Sequence, residues 1–167
     1  LEVPVIAKIQ GYATGGAGMG LTCAADIAIC GASARFMAGA TRVGMAPDGG
    51  ATATLARLVG FRRAMDIVLT NRFVEAEEAE RIGLVSRVVE DGALMDSCLD
   101  MAAAICELST HGVAMTKKVL WSNLETASLD AAIEMESRNQ LLVRLTTNNL
   151  AEFLKARSEG RKPVYED

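Results

Sequence analysis

Aromatic residues, histidine and proline are scarce in this 167-residue chain, and the first two shortages exclude specific chemistry. Four Phe, two Tyr and one Trp offer few flat surfaces on which nucleic-acid bases would stack. A single histidine, His111, would have to carry any Ser-His triad or histidine-based zinc site, and no nucleophile motif surrounds it. No metal is expected. The four cysteines, Cys23, Cys30, Cys98 and Cys106, stand at spacings that match no zinc or redox pattern, so buried reduced thiols are expected. Basic charge is not in excess. With 17 Lys and Arg against 21 Asp and Glu the net charge is −4, which argues against a nucleic-acid or anionic-membrane partner. Residues 9–25, the longest uncharged stretch, contain five glycines and fall short of the ~20 apolar residues of a spanning helix. No basic segment precedes them, so a cytoplasmic chain without a signal peptide is expected.

What is present is aliphatic and small. Half of the residues are hydrophobic, with eight Met and 27 Ala, enough to bury a core. The length suits one domain on the rough scale of 100–200 residues. Between residues 11 and 50, twenty of forty residues are Gly or Ala, and ten of the fifteen glycines lie there. Glycine costs roughly 0.5–1 kcal/mol against Ala inside regular elements. Its concentration in an apolar region predicts backbones brought close together, or close to a ligand.

The pattern predicts an α/β fold. Residues 3–10 (VPVIAKIQ) read as a nearly buried strand and 11–16 as a turn, followed by a short helix over 17–24. A second buried strand is expected at 26–31 and a very short one at 35–38. Helices follow at 49–59, stopped by Gly60, at 61–69, and at 76–82, closed by Gly83. Residues 84–89 are extended again. From Ala93 the pattern is helical, with breaks near His111-Gly112, at 123–128 and at 146–148, and Pro163 ends the last helix. The character shifts near residue 90, so residues 1–90 read as an α/β core and 91–167 as a helical region.

In Gly11-Tyr12-Ala13-Thr14-Gly15-Gly16-Ala17-Gly18-Met19-Gly20 a strand feeds a glycine turn that opens a helix. The first N–H groups of a helix lack partners and lie at the positive end of its dipole. Without large side chains they are open to a phosphate or to a developing oxyanion. The phosphate reading fails on sequence. Gly16-Ala17-Gly18-Met19-Gly20 is not G-x-G-x-x-G, the second strand ends in Gly31-Ala32-Ser33 without an acid, and no G-K-[ST] occurs. The first fifty residues hold only six charges: Glu2, Lys8, Asp26, Arg35, Arg42 and Asp48. Asp48 follows Pro47 at the start of a predicted helix. It is either an N-cap or, in so apolar a setting, a proton carrier with a raised pKa.

Together these segments resemble the crotonase superfamily, the enoyl-CoA hydratase/isomerase family. The resemblance runs through Pro4-Val5-Ile6-Ala7, Gly16-Ala17-Gly18, Ala25-Asp26-Ile27, Ala34-Arg35-Phe36 and Gly44-Met45-Ala46-Pro47-Asp48-Gly49-Gly50. It continues through Leu69-Thr70-Asn71-Arg72 to Phe153-Leu154-Lys155-Ala156-Arg157 and covers essentially the whole chain. It implies a β-β-α spiral core, here partial, and a helical C-terminal region that builds a homotrimer or a dimer of trimers. It also implies an acyl-CoA thioester substrate in fatty acid metabolism, with no cofactor beyond the coenzyme A of the substrate. The thioester oxygen would be held by the Ala17 N–H, with Gly16 as the neighbouring alternative. Gly16, Gly20, Gly39 and Ala40 would line the acyl site, and Phe153 and Lys155 would meet coenzyme A. The family chain is longer, and its first oxyanion donor lies in an N-terminal part without counterpart here. The two hydratase glutamates fall at Gly20 (or Met19) and Ala40, neither of which moves a proton. Asp48 instead matches branches that use an aspartate, the enoyl-CoA isomerases ahead of the aryl-CoA dehalogenases. Hydration is the alternative chemistry, and a non-catalytic acyl-CoA-binding oligomer the alternative class.

Overall fold

The computed structural model describes residues 1–166. The chain forms two units, one running Val5–Asp100 and the other joining Leu1–Pro4 to the chain from Met101 onward. The division thus falls ten residues beyond the shift in composition at residue 90, inside a helix.

The first unit is built from two three-stranded sheets. Strands β1 (Ile6–Ile9), β3 (Ile27–Gly31) and β6 (Arg87–Val89) form one, parallel throughout. Strands β2 (Tyr12–Thr14), β4 (Arg35–Met37) and β5 (Val74–Glu75) form the other, with β5 antiparallel. Register runs Ile6↔Ile27 to Ile9↔Cys30 in the first sheet and Tyr12↔Arg35 to Thr14↔Met37 in the second. The first two passes each lay one strand in each sheet before a helix returns the chain, and the third places its helix between β5 and β6. This is the expected β-β-α spiral. Asp26 ties the start of β3 to β1, its carboxylate accepting the Val5 N–H at 2.6 Å.

The segment 11–16, expected as a turn, contains β2. Gly11 (φ +71) alone makes the corner, and three residues are too few for an alternation to show in sequence. Strand β5 escapes the sequence reading for the same reason.

Helices α1 (Gly15–Ala24), α2 (Ala51–Val59), α3 (Phe61–Thr70) and α4 (Ala76–Arg81) complete the unit. Helix α2 starts two residues later than expected because Gly49 (φ +63) and Gly50 (φ +78) are left-handed. Met19, Ile29, Phe36, Leu55, Ile67 and Val74 are almost fully buried. The small residues act as read from sequence. A Cβ on Gly18 would lie 2.9 Å from the Ala13 carbonyl carbon, so α1 rests on the backbone of β2.

Helix α5 (Leu94–Cys106) crosses the division, and α6 (Thr110–Asn123), α7 (Leu129–Thr146) and α8 (Asn149–Ser158) follow. The expected break at His111-Gly112 lies earlier, at residues 107–109. Gly112 sits in the first turn of α6, and its N–H donates to the Ser109 Oγ at 2.9 Å, so the glycine serves a cap and not a break. Helix α8 stops at Ser158, short of Pro163, where Gly160 (φ +68) turns and the Arg161 N–H reaches the Ala156 carbonyl. Among the described residues no helix is long and apolar enough to cross a membrane.

Candidate active site

The N-terminus of α1 is the candidate site. Thr14, the residue before the helix, is extended (φ −124, ψ 158), and its side chain makes no capping bond. The first N–H groups of α1 therefore have neither an intrahelical acceptor nor a side-chain cap. Ala17, in this first turn, is exposed.

Two other segments close on this turn through backbone. A Cβ on Gly39, just beyond β4, would lie 3.2 Å from Gly15 Cα and N. A Cβ on Gly49 would lie 3.5 Å from the Gly16 carbonyl oxygen, and one on Gly20 would lie 3.4 Å from the Gly49 carbonyl oxygen. At Gly16 a Cβ would overlap Asp48 Oδ1, with Cγ at 3.1 Å. The carboxylate of Asp48 thus lies directly against the first turn of α1. Residues separated by some thirty positions in sequence, Gly16, Ala17, Gly20, Gly39 and Asp48, are brought together, with Ala40 adjoining Gly39 and buried.

Asp48 does not cap α2. The N-cap is Gly50, without a side-chain capping bond, and Asp48 contributes only its carbonyl, which accepts the Ala51 N–H at 3.2 Å. Nor is its carboxylate enclosed. It is exposed, because residues 44–50 run as an irregular surface loop despite their apolar composition. Between the two positions considered for the first hydratase glutamate, Met19 is buried in the core at 1% exposure. Gly20, one turn after Gly16, faces the Asp48-Gly49 segment.

Phe153 and Lys155 are both exposed on α8 and belong to the other unit. Of the four cysteines, all free, Cys23, Cys30 and Cys98 are buried as expected, while Cys106 is exposed near the end of α5. Burial pushes the Cys23 and Cys30 thiols up to about 11, so they are neutral and unreactive near pH 7. No group of three His, Cys, Asp or Glu side chains suited to a metal is found among the described residues.

Sequence reasoning missed one feature beside the site. Asn71, at the C-terminal end of α3, has φ 51 and is the one non-glycine residue with positive φ among those described. Its Nδ2 donates to Thr41 Oγ1, whose own hydroxyl donates to the Val68 carbonyl at 3.2 Å. The signal available was an Asn at a helix end, a residue type that tolerates the left-handed region. Next to it, Arg72 bonds both Glu78 oxygens at 2.8 Å and Asp66 at 2.7 Å. That pairing holds the Glu78 carboxyl below the usual range.

Comparison with known proteins bears on the family and the fold. The family model "Enoyl-CoA hydratase/isomerase" matches residues 1–167. A probable enoyl-CoA hydratase of Mycobacterium tuberculosis is 47% identical over 168 residues, covering 100% of this chain and 59% of the relative. A short-chain-enoyl-CoA hydratase of Clostridium acetobutylicum is 36% identical over 137 residues, covering 82% of this chain and 52% of that protein. Among solved structures, a probable enoyl-CoA hydratase/isomerase from Mycobacterium abscessus superposes with a TM-score of 0.94 at 40% identity, covering 99% of this chain and 63% of that one. An enoyl-CoA hydratase from Bacillus anthracis does so with 0.94 at 32% identity, with the same coverage. The chain therefore spans about three-fifths of the length of the relatives it matches. A whole-chain family match, a shared β-β-α spiral and a shared helical C-terminal region together show that this chain belongs to the enoyl-CoA hydratase/isomerase family of the crotonase superfamily.

Proposed function

We propose that this chain carries the enolate-stabilising turn and the proton-transfer group of an acyl-CoA enzyme. The observation that carries the reading is the apposition of the Asp48 carboxylate to Gly16, in the first turn of α1. An acyl thioester oxygen bound at the Ala17 N–H would sit at the positive end of the helix dipole. Asp48 would take the proton from the carbon next to the thioester carbonyl. The electron pair moves onto the oxygen, and the same carboxyl returns the proton at the far end of the conjugated system. The double bond shifts along the acyl chain, and no water is consumed.

Double-bond isomerisation is preferred because it needs one carboxyl group. Hydration calls for a group that activates water beside one that protonates carbon, and Gly20 and Ala40 offer neither. Hydration is the second reading, favoured by the names of the relatives, which are enoyl-CoA hydratases. The proposal includes an acyl-CoA substrate, no separate cofactor, a cytoplasmic setting, and self-association through the C-terminal helices. Leu129 and Leu145 of α7, at 75% and 81% exposure, supply apolar surface for that association.

The test is kinetic. The full-length protein is offered 3-enoyl-CoA and 2-enoyl-CoA thioesters, with double-bond migration and hydration followed separately, and Asp48→Asn is compared. Removing a general base costs about 10²–10⁴ in kcat. A drop of that size with thioester binding retained supports the reading. Full turnover in Asp48→Asn would remove Asp48 from the mechanism, hydration without migration would install the second reading, and binding without turnover would leave an acyl-CoA-binding oligomer.

A further inference from the structure

We propose that Asn71 and Thr41 form a clasp that positions Asp48, so that Asn71 is a positioning residue for the acid–base step; this rests on the proposed role of Asp48. The loop from β4 to α2 has little regular structure of its own. Its first half is a self-bonded turn. The Gly39 carbonyl accepts the Arg42 N–H at 3.2 Å, and the Ala40 carbonyl accepts the Val43 and Met45 N–H groups at 3.1 and 3.0 Å. The Thr41 carbonyl accepts the Gly44 N–H at 3.2 Å. These bonds tie the turn into one unit, and Ala46-Pro47 connects it to Asp48 with little freedom, since proline fixes its own φ and restricts the residue before it.

Something must hold that piece. Gly39 leans on Gly15 at one end through backbone alone. Thr41 is its side-chain anchor on α3. The Thr41 hydroxyl has a single proton, given to the Val68 carbonyl at 3.2 Å, one of the last carbonyls of α3, which no intrahelical N–H reaches. Its lone pair accepts Asn71 Nδ2. In this arrangement the Asn71 Oδ1 is buried without a hydrogen-bond partner.

A simple helix cap would not need this. Glycine is the residue with no steric cost at φ 51, and it would leave no buried oxygen unpaired. Asparagine at this point leaves one acceptor unpaired to place an amide on Thr41. A left-handed non-glycine residue joined to the loop that holds an acid is the arrangement expected where geometry is being enforced.

Asn71→Gly separates the two roles, since it keeps the left-handed backbone and removes the amide. Thr41→Val and Thr41→Ser do the same for the hydroxyl, the second being the rescue variant. In the full-length protein, amide hydrogen exchange of residues 42–49 should quicken about tenfold in Asn71→Gly and Thr41→Val and return in Thr41→Ser, with β1 and β3 unchanged. On enoyl-CoA, kcat should fall about ten- to a hundredfold, the range of a misplaced reacting group, with KM moving less than threefold and the melting temperature held.

Exchange in residues 42–49 that matches the parent in both variants overturns the clasp. Quickened exchange with unchanged kcat, while Asp48→Asn is inactive, overturns the positioning role. Full activity of Asp48→Asn defeats the acid–base reading on which the positioning role depends, and exchange then still decides whether the clasp exists.

Discussion

At position 16 a hydrogen is the only substituent that avoids the Asp48 carboxylate where it lies. Alanine there would place a methyl group on Asp48 Oδ1, and the atom that must give way is the end of an exposed side chain, free to swing aside. Within a helix, alanine is favoured over glycine by about 0.5–1 kcal/mol. The two effects act on different properties. Gly16→Ala should hold or raise the melting temperature while turnover of enoyl-CoA drops by at least about tenfold, because the displaced carboxylate no longer faces the bound acyl group. Calorimetry beside a steady-state assay checks this. A variant that is both stable and fully active would show that the apposition of Asp48 to α1 is incidental to the chemistry.

At the scale of the element, α1 shows why a second glycine on the same helix has another meaning. Gly18 faces Ala13 of β2, and its missing Cβ would lie 2.9 Å from a carbonyl carbon and 3.2 Å from a Cα, atoms that no rotamer change can move. The Gly18 carbonyl also accepts the Thr22 hydroxyl at 2.8 Å. Gly18→Ala forces helix and strand apart and should destabilise by about 1–3 kcal/mol, the usual cost of overpacking, offset in part by helix propensity. A lower denaturant midpoint with an unchanged slope is the expected result. An unchanged midpoint would mean that α1 can lift off β2 at no cost. Neighbouring glycines of one helix thus differ in what a methyl group would meet, a mobile carboxylate at Gly16 and fixed backbone at Gly18.

For the whole chain, the ionisable groups bound a window of stability. Arg72 holds the Glu78 carboxyl down, Ser33 does so for Asp91, and Arg161 with the Val164 N–H brings Glu152 to about 2. A carboxyl lowered by folding stabilises the folded state above its unfolded value, and that contribution is lost as pH falls through the folded one. For Glu152 the loss runs from 4.5 to about 2. The buried thiols of Cys23 and Cys30 act in the opposite direction. Their pKa rises from 9.0 to about 11, so the unfolded chain releases those protons first and stability falls as pH climbs across that interval. The denaturant midpoint should therefore be level between about pH 5 and 8.5 and decline on both sides. Glu152→Gln should flatten part of the acid decline. An acid limb identical to the parent's would show that the Glu152–Arg161 pair carries no such linkage.

Much of this was legible from residue order because it depends on neighbours in sequence. The apolar runs of β1 and β3, the stops at Gly60 and Gly83, and the long helical region after residue 93 follow from local propensity and period. The density of Gly and Ala also announced backbone packed on backbone, which α1 on β2 shows. The two-residue β5 and three-residue β2 were invisible because strand pairing, not their own composition, makes them strands. The nature of Asp48 was undecidable in sequence, since an acid after Pro47 suits a cap and a catalytic group equally. Only the folded chain removes the cap, by starting α2 at Ala51 behind two left-handed glycines, and sets the carboxylate against Gly16. The contact of Asn71 with Thr41 is of the same kind, joining residues thirty positions apart. Local sequence determined the elements and the glycine turn. Tertiary packing decided which acid meets that turn, because a distance across thirty residues is set by how the spiral closes and not by any residue along it.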